Sequence, residues 1–199
     1  KAGVYATYSL DEIPDWITQH TYLNQRRYSF SGHEFQLKVL QDTSQEVNVQ
    51  KCSQIGMTEA QIRWSLSIAS VFPSFSLIYT MPYSNDAETL CRTRVDPIIV
   101  GSPKLKDAIN PDLNNSQIKQ LNASFLYFRG TQGNTQAISI PADCIVSDEI
   151  DRSSAHILSQ YTSRLSHSPW KLRRNFSTPT MDGFGIAEKM QTSRRFRNN

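Results

Sequence analysis

The run Lys51, Cys52, Ser53, Gln54, Ile55, Gly56, Met57, Thr58 has the residue types of a phosphate-binding loop, with its lysine out of the usual place. In the common pattern, G-x-x-x-x-G-K-[ST], backbone N–H groups wrap the phosphates, the lysine reaches the outer ones and the hydroxyl meets Mg²⁺. Setting Thr58 on the hydroxyl position puts Gly56 on the second glycine, Met57 on the lysine and Lys51 on the first glycine. A long lysine reaches the same oxygens from either end of a loop that curls around them. Lys51 is therefore the candidate cation and Thr58 the candidate metal ligand. Ser53 and Gln54 read equally as braces of the loop or as a polar surface turn.

A second element, "DCIVSDEID", is needed before the loop means more than an ordinary strand-turn-helix. An apolar strand ending in two adjacent carboxylates is what a nucleotide hydrolase places beside its phosphate loop. Mg²⁺ takes one or two carboxylates together with phosphate oxygens and waters, which assigns Asp148 to the metal. Glu149, one residue on, is then the general base for the attacking water. Taken alone, the same residues read as a strand running into an acidic helix cap.

The elements that would position these groups alternate. "EFQLKVLQD" predicts a helix over about 33–42, "EVNVQK" a strand, and Ile62, Leu66 and Ala69 lie on one face of a helix opening after Thr58. "SFSLIYTMP" predicts a strand, and a helix follows with Ser84 as its N-cap. Two strands, "SFLYFRG" and "AISIPADCIVSDE", a helix in "SSAHILSQYTSRL" and a strand in "LRRNFSTP" complete the series. Such alternation predicts an α/β fold with a mainly parallel central sheet flanked by helices. Residues 1–30, aromatic and polar with weak periodicity, read as an N-terminal arm with a short helix at "DEIPDWI"; 31–199 read as one domain.

Bulk properties narrow the function less. The chain of 199 residues is 38% hydrophobic with a net charge of +3, which permits nucleic-acid contact without demanding it. Its basic residues gather from Arg164 onward, where Arg194, Arg195 and Arg197 mark a basic face or a solvated tail. Cys52, Cys91 and Cys144 form no C-x-x-C, and the four histidines no metal-ligand spacing, so a structural zinc site is not expected. The thiols fit a reducing, cytoplasmic setting, and no apolar run approaches a membrane span.

Taken together, "KCSQIGMT", "CIVSDEID" and "NFSTPT" resemble the ATPase domain of the large terminase subunit of tailed bacteriophages, the motor that packages viral DNA. The resemblance runs over about Phe30 to Lys189 and includes "LIYTMPYSNDA" and "LYFRGTQ" in the expected order. It implies a P-loop NTPase fold of the ASCE, RecA/helicase-like type, with ATP and Mg²⁺ as ligands. It further implies Gln36 as reader of the base, and Ser177, Thr178 and Thr180 as a coupling motif that senses the γ-phosphate. The implied partners are double-stranded DNA, the portal and procapsid, the small terminase subunit and neighbouring copies in a ring, all in the host cytoplasm. Arg129, after an apolar strand and before "GTQG", is the best candidate for an arginine finger reaching a neighbouring subunit; Arg152 and Arg164 are weaker ones. Nuclease residues are expected outside this stretch. Two alternatives stay open: a helicase-like remodelling ATPase, which needs a second RecA-like domain, and a DNA-binding module whose loop has decayed, as Met57 would suggest.

Overall fold

A computed structural model describes residues 8–132 and 140–192. The first part of the strand expected from Ala137, together with Gly133, Arg194, Arg195 and Arg197, lies outside the described residues. The order of elements is α1 (Ile13–His20), β1 (Tyr22–Leu23), β2 (Arg26–Arg27), α2 (Glu34–Leu40), β3 (Glu46–Gln50), α3 (Met57–Val71), β4 (Ser76–Met81) and α4 (Ser84–Leu90). It continues with α5 (Asp96–Gly101), α6 (Pro103–Ala108), β5 (Ile109–Asn114), β6 (Ile118–Leu121), β7 (Ser124–Gly130), β8 (Cys144–Asp148), α7 (Ala155–Thr162), β9 (Leu172–Ser177) and α8 (Ile186–Thr192).

Seven strands form one sheet in the order β3-β9-β8-β4-β7-β6-β5. The strands from β3 to β7 are mutually parallel, while β6 and β5 close the far edge antiparallel. The central strands are covered on both faces, and so "SLIYTM" and "CIVSD" read as nearly continuous buried runs. Their order has a chemical consequence. β9 lies between β3, which leads into the phosphate-like loop, and β8, which ends in the carboxylates, so three carboxyl-terminal strand ends share one crevice.

α3 explains its own weak amphipathic pattern, because α1, α2 and α6 pack around it while the sheet lies beneath. Gln61, Arg63, Ser65 and Ser67 are consequently buried with its apolar residues. Arg63 is satisfied in part by Glu59 at 2.9 Å and by the Tyr28 ring, whose centroid is 4.4 Å from the guanidinium carbon. The helix stops at Phe72, which adopts extended backbone in front of Pro73.

The parallel α/β class follows the sequence expectation and the expected strands and helices are found, although in the stretch "AISIPADCIVSDE" residues 140–143 are not strand and β8 begins at Cys144. Four other features differ. The helix expected from Ser84 is broken by a π-helical turn at Cys91–Val95, ahead of Pro97, which has no N–H to donate. Tyr83, in extended backbone, holds the N-cap position and Ser84 is the first helical residue. The β5–β6 hairpin was not foreseen, since "INPDLN" has the polar composition of an exposed edge and carries Pro111 where an edge tolerates it. α1 belongs to the stretch read as an arm, yet Ile13, Trp16 and Ile17 are buried in the main core together with Tyr28 and Phe30.

Candidate nucleotide-binding site

Residues 51–56 connect the end of β3 to the start of α3. The Lys51 N–H donates to the Ser177 carbonyl at 2.9 Å, carrying the β3–β9 ladder one step beyond the strand and fixing where the loop departs. Gln54 and Gly56 both take left-handed backbone, with φ of 63° and 72°. At Gly56 this turn opens α3, leaving the helix N-terminus facing the crevice. Gln36 supports the loop from below: its Nε2 donates to the Ile55 carbonyl at 2.8 Å, and its Oε1 accepts from the Tyr28 hydroxyl at 3.2 Å. Gln36, expected as a base reader, is only 1% exposed and is placed as a brace, because α2 turns it inward onto the loop.

The chemistry gathers above this frame. The Lys51 ammonium donates to Glu149 Oε1 at 2.6 Å and lies 3.7 Å from Asp148 Oδ1. The Thr58 hydroxyl donates to Asp148 Oδ2 at 2.7 Å, and the Tyr79 hydroxyl donates to the same oxygen at 3.2 Å. Burial raises the Asp148 carboxyl above its ordinary range, against the opposing pull of Lys51 and the Thr58 hydrogen bond. Burial likewise holds the Tyr79 hydroxyl well above its usual value. Glu149 is in left-handed backbone, φ 56° and ψ 48°, an uncommon state for a side chain of this size and one that recurs at functional sites. It redirects the chain at the end of β8 so that the two adjacent carboxylates both face Lys51.

Met57, in the ordinary lysine position, is 1% exposed and packed in the main core. Cys52, Ser53 and Gln54 are exposed on the outer side of the loop. Ser177 is buried at the end of β9, its hydroxyl accepting from the Asp151 N–H at 3.2 Å and donating to the Thr178 carbonyl at 3.1 Å. Thr180 follows on the loop after β9. Arg129, expected to reach a neighbouring subunit, lies on β7, two strands from β8, where it donates to the Gln117 and Phe128 carbonyls at 2.9 Å each and lies over the Tyr127 ring. Two residues at or beside the site carry no local signal in the sequence. Tyr79 carries a polar tip on an otherwise apolar central strand, and Asp151 is a third carboxylate two residues beyond the recognised pair.

Among the described residues no helix is long and apolar enough to cross a membrane. Comparison with curated protein sequences gave no match. Among solved structures, the HK97 bacteriophage large terminase superposes with a TM-score of 0.75 at 12% identity, over 92% of this chain and 42% of that one. The large terminase ATPase domain of Thermus phage P74-26 gives 0.59 at 14% identity, over 74% of this chain and 65% of that one. The chain thus spans less than two thirds of either relative, and at such identities the likeness establishes the P-loop ASCE fold. The family described as "Phage terminase large subunit gpA, ATPase domain" matches residues 34–195. With the loop, the acidic pair and the strand between them in one crevice, the chain belongs to the ATPase domain family of the phage terminase large subunit.

Proposed function

We propose that this domain binds ATP with Mg²⁺ and hydrolyses it to drive double-stranded DNA into a procapsid. The observation that carries the reading is the convergence of Lys51, Thr58, Asp148 and Glu149: Lys51 bonds Glu149 at 2.6 Å, Thr58 bonds Asp148 at 2.7 Å, and Lys51 lies 3.7 Å from Asp148. The α3 N-terminus and the loop amides supply donors for the phosphates. The Lys51 ammonium supplies the mobile positive charge that Met57 lacks. Thr58 Oγ1 and Asp148 Oδ2 are the hard oxygen donors that Mg²⁺ prefers, and the ion, when bound, neutralises charge on the outer phosphates. Glu149 orients the attacking water and takes its proton as the water oxygen joins the γ-phosphorus and the bond to the β-phosphate oxygen breaks, releasing ADP. Ser177, on the strand between loop and carboxylates, senses the γ-phosphate and passes its loss to Thr178 and Thr180.

The same reading makes the working form a homo-oligomeric ring on the portal, supplied with DNA by a small terminase subunit, with an endonuclease in the full-length protein. The test is Mg²⁺-dependent ATP turnover in Glu149→Gln and Asp148→Asn variants. Glu149→Gln should lower kcat by about 10²- to 10⁴-fold while still retaining bound ATP. Asp148→Asn should lose Mg²⁺-supported binding as well. Identical defects in both would remove the division of labour between them.

A further inference from the structure

Asp151 takes no part in the chemistry described above, yet it is only 8% exposed and both of its carboxylate oxygens are hydrogen-bonded. Its Oδ2 accepts from the Thr180 N–H at 2.9 Å and the Thr180 hydroxyl at 3.2 Å. Its Oδ1 accepts from the Ile186 N–H at 2.9 Å. Its own N–H donates to Ser177 Oγ at 3.2 Å. One carboxylate therefore closes both ends of the loop between β9 and α8, and its backbone holds the serine at the end of β9.

The surroundings are shaped to this carboxylate. Gly185 has φ +58°, and a Cβ there would meet Asp151 Oδ1 at 2.5 Å and Cγ at 2.6 Å. The loop has little else to fix it: Met181 and Phe184 are 64% and 45% exposed, so its own side chains do not bury it. Beyond the loop, Ile186 is fully buried and α8 reaches back to β3, where Lys189 Nζ donates to Glu46 Oε1 at 3.0 Å. β3 in turn leads directly into Lys51. The contacts form a circuit from Lys51 to Glu149, through the short turn Ile150–Arg152 to Asp151, across to Ile186, and along α8 to β3, which ends just before Lys51.

We infer that Asp151 is a positioning residue that ties the Glu149 turn to the loop after β9, so that a change at the nucleotide is transmitted to α8. The inference rests on the ATPase reading of the site. A carboxylate accepting two backbone N–H groups and a hydroxyl makes charge-assisted bonds, stronger than neutral ones. Asn at this position offers one acceptor and turns an amide N–H₂ toward a donor, so it opens one end of the loop without changing the size of the side chain. Gly185→Ala attacks the same contact from the other side, by pushing the carboxylate away.

The experiment uses the full chain and limited chymotrypsin digestion. Phe184 reports on the loop, and Tyr83, 51% exposed and on a different connection between β4 and α4, is the internal reference. In the wild type, cleavage after Phe184 should differ between ADP and a non-hydrolysable ATP analogue. In Asp151→Asn and in Gly185→Ala it should rise about tenfold or more, lose that nucleotide dependence and leave cleavage after Tyr83 unchanged. A fluorescent ADP analogue should bind both variants within about threefold of wild type, while kcat falls about 10- to 100-fold because the Glu149 turn is no longer held. Unchanged cleavage after Phe184, unchanged kcat, or a parallel rise at Tyr83 would each overturn the inference. A wild type that binds nucleotide without hydrolysing it would sink the ATPase reading instead, and the digestion alone would then decide whether Asp151 is the tie.

Discussion

Met57 occupies the position that a lysine holds in the common phosphate loop, and Lys51 stands at the loop's other end. The Met57 side chain points into the core at 1% exposure, while Lys51 brings an ammonium to the carboxylates. The two residues should therefore fail differently. Lys51→Ala should cost about 100-fold or more in turnover and weaken nucleotide binding, since no other cation lies within the loop. Met57→Ala should leave nucleotide affinity within about twofold yet lower stability by about 2–5 kcal/mol, the usual cost of truncating a buried side chain to Ala. Turnover assays and thermal unfolding on the same preparations separate these effects. If turnover required Met57→Lys, the displaced-lysine reading would be wrong.

At the scale of the element, the loop works because three segments hold it from different sides. β9 receives the Lys51 N–H, α2 supplies Gln36 to the Ile55 carbonyl, and α3 begins at the left-handed Gly56. Gly56→Ala disturbs two of these at once. The backbone at φ +72° disfavours a side chain by about 1–2 kcal/mol, and the new Cβ would lie 3.0 Å from Gln36 Nε2, the atom that braces the loop. Nucleotide affinity should fall about tenfold with a modest loss of stability. Titration calorimetry with ADP checks this, and wild-type affinity in the variant would mean that the loop does not depend on that turn.

For the molecule as a whole, residues between Ile13 and Phe30 form part of the core. Ile13 and Ile17 are fully buried, and Trp16, Tyr28 and Phe30 are nearly so, against the same cluster that contains Met57 and Trp64. Each such side chain contributes about 1.5–3 kcal/mol on burial, while a whole domain is stable by only about 5–15 kcal/mol. A chain shortened to residues 31–199 should accordingly lose its cooperative thermal transition and aggregate. A truncated chain that melts near the temperature of the full one would restore the reading of 1–30 as a separable arm.

The sequence by itself determined the alternation of strands and helices, the phosphate-like loop and the acidic pair, because hydrophobic periodicity, glycine placement and adjacent carboxylates are local signals. It also carried the family, through three short motifs in order. Only the tertiary structure decided what long-range packing controls. The order of strands, with β9 between β3 and β8, is set by crossovers that no local pattern records. Gln36 became a brace because α2 packs against the loop, and Tyr79 joined the site because β4 is paired beside β8. Arg129, read from its neighbours as projecting, is drawn back onto the carbonyls of its own hairpin. Asp151 looked like one more acid after a pair of acids, until the fold brought the N–H groups of Thr180 and Ile186 to its two oxygens. A carboxylate's role is fixed by the donors that surround it, and those donors come from another strand's loop.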